Sequence, residues 1–182
     1  MGMGFRLARS MGMEGSTGNL SEFPIAPGNT TPIFRGDLCT LNAGNVQVAS
    51  AAAGQKVLGI FWGCKYVAAD GSFEFRPNWD GVAGRTKVFA MVAVVPAGAT
   101  MLVRGLAGSN YTQADVGTRK AAATGIAGDP LTGMSRQTLG ATGATVPTAG
   151  LIVLREVDLP DGGGRWFEVA LAADNAIINT GA

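Results

Sequence analysis

Residues 34–79 read FRGDLCTLNAGNVQVASAAAGQKVLGIFWGCKYVAADGSFEFRPNW, and this stretch decides the fold. A first strand is expected over 34–41, a turn at Asn42–Asn45, and a second strand over 46–49. The strongest signal follows at 57–67. Its alternate positions Leu58, Ile60, Trp62, Cys64 and Tyr66 are apolar or aromatic, while Gly59, Gly63 and Lys65 oppose them. A period of two with one apolar face is the mark of a half-buried strand. Asp70-Gly71 then reverses the chain, because glycine accepts positive φ at little steric cost. Beyond it Phe73, Phe75 and Trp79 alternate with Ser72, Glu74, Arg76 and Asn78. The pattern reads as a hairpin with its aromatics in a core.

Outward from this stretch the same character recurs. Residues 86–95, TKVFAMVAVV, form an apolar run ending at Pro96 and are expected to be a strand buried on both faces. Further strands are expected at 100–106, 151–159 and 165–171, the last two joined across a Gly-rich turn at 161–164. The predicted class is all-β: a small antiparallel barrel or sandwich over residues 33–182. Residues 105–150 within it, rich in Gly, Ala and Thr, read as a loop-rich insertion. Ala121–Thr124 and Ser135–Leu139 read there as short strands, and Thr112–Val116 as one helical turn.

Residues 1–32 read as an extended arm. Six glycines and three prolines punctuate the segment too often for a long regular element. Apolar residues are nevertheless scattered through it. Phe5, Leu7, Met11, Met13, Leu20 and Phe23 are expected to anchor it on a neighbouring subunit.

Composition narrows the function. The 182 residues carry 28 glycines, 47% hydrophobic residues and only 15% charged ones, which suits a β-rich protein working against partners. Net charge is +1 without a cationic block, so nucleic-acid binding has no support. Histidine is absent, which removes the usual general base and a common metal ligand. Cys39 and Cys64 make no CxxC pair and read as reduced core thiols, with a disulfide between neighbouring strands as the alternative. No apolar run approaches the roughly 20 residues of a membrane span. The N-terminus lacks a secretory pattern, so a soluble protein made in a cytoplasm is expected. No phosphate-loop pattern, triad or carboxylate pair stands out, so neither an enzyme nor a cofactor is expected. Glu156 and Glu168 read instead as cross-strand partners of Arg155 and Arg165.

The opening GFRLARSMGMEGSTG, the strand Ile33–Leu38, the turn Ala43–Val46, the strand LGIFWGCKY at 58–66 and Trp79 together resemble a group of tailed-phage virion proteins. Asp115-Val116-Gly117, Gly133-Met134-Ser135 and the strand at 151–159 extend the resemblance over nearly the whole chain. It implies a capsid decoration, or cement, protein on the outer surface of a virion. Its partner would be the major capsid protein, bound as a homotrimer at local threefold positions. The loop 111–124, with Tyr111, Asp115, Arg119 and Lys120, is then expected around the trimer axis. Other virion roles, such as a head-fibre base, a tail component or a minor shell protein, remain alternatives, as does a carbohydrate-binding module.

Overall fold

The computed structural model describes residues 4–9, 20–123, 128–141, 149–158 and 164–177. In chain order the strands are β1 (Arg6–Arg9), β2 (Leu20–Pro24), β3 (Ile33–Phe34), β4 (Leu38–Asn42), β5 (Asn45–Val48), β6 (Gly59–Val67) and β7 (Phe73–Arg76). They continue as β8 (Asn78–Trp79), β9 (Thr86–Val94), β10 (Thr100–Arg104), β11 (Arg119–Lys120), β12 (Leu151–Val157) and β13 (Trp166–Leu171). Every strand pairing is antiparallel. One sheet runs β1-β10-β13-β12-β11, and the other runs β2-β9-β6-β4-β5 with β7 also on β6. The sheets stay separate, so the all-β architecture is a sandwich rather than a closed barrel.

Two apolar clusters fill it. Leu38, Ile60 and Val95 of the second sheet meet Met101, Val103, Val153, Val169 and Leu171 of the first. The far side of the second sheet carries its own core. There Cys39, Phe61, Cys64, Tyr66, Ala90 and Val92 are closed over by Ile25, Ile33 and Trp79. The β3–β8 ribbon and the segment leading from β2 thus act as a third layer.

The N-terminal segment is not a separate arm where it is described. β1 is the edge of the first sheet and β2 the edge of the second. Phe5 is buried in the inter-sheet core, and its N–H donates to the Gly36 carbonyl at 2.8 Å. The glycine read as a chain breaker permits this contact: a Cβ on Gly4 would lie 2.4 Å from the Gly36 oxygen. Leu7 packs on the same core and Phe23 on the other, whereas Leu20 is exposed. These four side chains belong to the chain's own sheets. Met11 and Met13 lie outside the described residues.

The 57–67 stretch forms the central strand, but its faces are not those expected. Phe61 pairs with Val92 and Gly63 with Met91, so Trp62 is one residue too many. This β-bulge inverts the alternation at mid-strand. Phe61, Cys64 and Tyr66 share the far core, Ile60 faces the first sheet, and Trp62 is 43% exposed. β9 likewise departs from the expected two-sided burial. Ala90, Val92 and Ala93 are buried, but Thr86 and Lys87 are exposed and Phe89 and Met91 only half-buried.

Candidate functional site

The residues expected at a trimer axis turn inward. The Tyr111 ring packs on Phe167 with centroids 4.6 Å apart, and its hydroxyl lies 2.9 Å from the carbonyls of Leu139 and Gly140. That hydroxyl also accepts the Leu106 N–H. Asp115 accepts the Thr112 N–H at 2.8 Å, which shapes the 3-10 turn Gln113–Asp115. Its other oxygen lies 2.8 Å from the Lys120 ammonium. Lys120 is 1% exposed, pulled under the fold by that partner. Arg119 reaches Asp174 at 2.7 Å. Tyr111, Asp115 and Lys120 are buried and Arg119 is spent on an intramolecular pair. Three of the four thus serve their own chain's interior, while the Arg119–Asp174 pair stays at the surface.

The expected loop-rich insertion is a strap stitched across the sandwich wherever it is described. Arg35 donates to the Gly133 carbonyl, and Ser135 donates back to Arg35. Leu139 donates to Arg104, and Ala123 to Thr138. Ser135–Leu139 is not a ladder strand; within it Leu139 makes isolated bridges to Gly105 and Ala122. The helical turn at 113–115 matches the reading of 112–116.

At the strap's centre lies a polar knot. Asp37 accepts the Phe34 N–H at 2.7 Å and the Ser135 hydroxyl at 2.5 Å. Gln137 accepts the Leu38 N–H at 2.9 Å and donates to the Ala49 carbonyl at 2.7 Å. Burial lifts the Asp37 carboxyl above its ordinary range, opposed by the Ser135 and Phe34 hydrogen bonds. Ser135 is fully buried, so this acid–hydroxyl pair is sealed and its role is to hold the strap. Gln137→Ala will leave the Leu38 N–H and the Ala49 carbonyl unpaired in the core. The expected loss is about 2–4 kcal/mol, read as a shift in the urea midpoint. Gln137→Glu, which sets a carboxylate oxygen against the Ala49 carbonyl, will cost at least as much.

The cysteines are equally closed to chemistry. Both are free and buried, matching the reading as unpaired core thiols. Burial, with Asp80 adding to it, pushes the Cys64 thiol up to about 12, and burial raises Cys39 well above its usual value. Both cross-strand ion pairs form, Arg155 with Glu168 and Arg165 with Glu156.

What remains open is a face of the second sheet. The side of β6 that meets the first sheet at Ile60 continues past the bulge as Gly63, Lys65 and Val67. Cross-strand neighbours extend this face: Phe75 and Phe89 flank Lys65, Phe73 lies across from Val67, and Met91 lies across from Gly63. Leu20 and Glu22 of β2 complete it. Phe73 is 69% exposed and Phe75 56% exposed, so neither ring is in the core where the sequence reading put them. Tyr66 and Trp79 are buried as expected. The Phe75 ring lies over Gly63, whose Cβ would sit 3.0 Å from it. A Lys65–Glu22 ion pair crosses the middle of the face. Beside it Arg35 stacks on Trp62 at 3.7 Å, and the turn holding Leu131, which is 97% exposed, packs on Pro77 through Gly133.

This face was legible in part. Counted outward from the Asp70–Gly71 turn, the hairpin register sets Phe73 against Val67 and Phe75 against Lys65, on the less apolar side of β6. The strap's polar partners left no such signal, since Gln137 meets Leu38 and Ala49 only through the fold. Compared with family models, curated proteins and solved structures, the chain finds no match.

Proposed function

We propose that this protein is a structural component of a phage virion that binds the outer surface of the shell and cements neighbouring capsomers. One observation carries the reading: a tightly cross-tied sandwich leaves its aromatic rings Phe73 and Phe75 exposed on one sheet face. Exposed aromatic rings gathered on one sheet face mark a contact site, since leaving them in water forgoes burial worth about 25 cal/mol per Å². The chain is low in charge, which fits a part whose product is contact area. Its partner on this reading is the major capsid protein.

The physical logic is additive. Each copy contributes a modest apolar contact, and symmetry repeats it over a shell pressed outward by packaged DNA. Many such contacts must break before the shell opens.

The test is binding to purified mature capsids that lack the protein. Wild-type protein will cosediment with them and raise their resistance to heat. A Phe73→Ser/Phe75→Ser variant, altered only at exposed positions, will keep its circular dichroism and melting behaviour. It will bind at least about tenfold more weakly, since buried aromatics dominate such contacts. A wild-type protein that ignores capsids, or a double variant that binds as well as wild type, would sink the proposal.

A further inference from the structure

β7 is the outer strand beside β6, and among the described residues nothing pairs with its far edge. The direction of its backbone groups follows from the hairpin. Ala68 donates to the Ser72 carbonyl at 2.8 Å, so residues 72, 74 and 76 turn their N–H and C=O groups toward β6. Phe73 and Phe75 therefore turn theirs outward. An unpaired edge of this kind is a template for another strand.

The side chains specify which strand. Glu74 and Arg76 lie two residues apart on one face of β7, joined at 2.9 Å. We propose that this edge pairs antiparallel with β7 of a second copy, about a twofold axis through Phe75. In that register Phe75 exchanges both backbone hydrogen bonds with its counterpart, and each Glu74 stands opposite the other copy's Arg76. These facing residues form the closely spaced, non-hydrogen-bonded pairs in which side chains interact most strongly. The neighbouring registers fail. An axis through residue 74 sets Glu74 against itself, and one through residue 76 sets Arg76 against itself. A shift by one residue faces inward groups with outward ones.

The other free edges lack this self-complementarity. Among the described strands, β1 (RLAR) and β11 (RK) carry only cations, β2 (LSEFP) only an anion, and β3 (IF), β5 (NVQV) and β8 (NW) no charge. The contact also doubles the aromatic face, because Phe73 and Phe75 of both copies come to lie on one continuous sheet. It stands independently of the shell-binding reading, and its test needs no capsid.

The test is sedimentation velocity on the full chain from about 10 µM to about 1 mM, where a short isologous contact of this size becomes populated. Wild type will pass from monomer to dimer. Glu74→Arg alone, and Arg76→Glu alone, will each weaken association at least about tenfold, because every facing pair becomes like-charged. Mixed in equal amounts, the two variants will dimerise again, since each then meets its opposite. Phe75→Pro, which removes an outward N–H and an exposed ring from an edge strand, will stay folded and monomeric. A wild type that remains monomeric would overturn the proposal. So would single variants that dimerise like wild type, or a mixture that stays monomeric.

Discussion

Replacing Phe61 by alanine will destabilise the protein by about 3–5 kcal/mol, whereas replacing its neighbour Trp62 will cost only about 1 kcal/mol. The asymmetry reverses what the plain alternation of 57–67 suggests. Phe61 is fully buried among Ile33, Cys39, Leu58, Tyr66, Trp79 and Val92. Its removal leaves a cavity in a layer clamped by the β3–β8 ribbon, which cannot easily collapse. Trp62 loses the Arg35 stack and some surface contact. Urea titrations of the two variants, compared at equal slope, decide the point. Equal losses would mean that the strand carries no bulge at Trp62.

That pair of residues also marks where the sequence stops being legible. Strand positions follow from period-two patterning, and the central strand, its hairpin and the late hairpin β12–β13 fall where it puts them. Parity across a bulge does not follow, because the extra residue here is a tryptophan rather than a glycine and leaves no local signature. One inserted residue moved Trp62 out of the core and Phe61 into it. The misplacement of Phe73 and Phe75 has a different cause. Their alternation with polar residues and the usual burial of such rings point to a core, although their register through Asp70–Gly71 pairs them with Val67 and Lys65. The strap and the N-terminal strands were illegible for a third reason. Their order comes from distant partners: Gly36 for Phe5, Arg104 for Leu139, and Leu38 and Ala49 for Gln137. Glycine-rich composition locally says loop, while Gly4 and Gly128 sit where only a missing side chain lets segments touch.

The second large effect is expected at Asp115. Asp115→Ala will cost about 3 kcal/mol, the lower end for breaking a buried ion pair, because Asp115 is 8% exposed and some water can reach it. Lys120 would then hold an ammonium group at 1% exposure without its carboxylate. The turn at 113–115 would also lose the acceptor of the Thr112 N–H. Lys120→Met in the same background will restore part of the loss, since an apolar side chain of similar length needs no partner there. A double-mutant cycle reads this coupling directly. The same pair sets a pH dependence. Hydrogen bonding to Lys120, then to the Thr112 N–H, holds the Asp115 carboxyl below its ordinary value. A group depressed in the folded state stabilises fully above its unfolded pKa, and that contribution is lost as pH falls through the folded value. Asp37 works in the opposite sense. Burial raises its folded pKa, so the native state gains stability as pH falls from that raised value toward the ordinary carboxylate range. Asp115→Asn will therefore flatten the acid limb of the stability profile. Asp37→Asn will instead remove a decline in stability as pH rises above the ordinary carboxylate range. Urea midpoints between pH 3 and pH 7 separate the two; a profile unchanged by both substitutions would refute the assignment of charge to these acids.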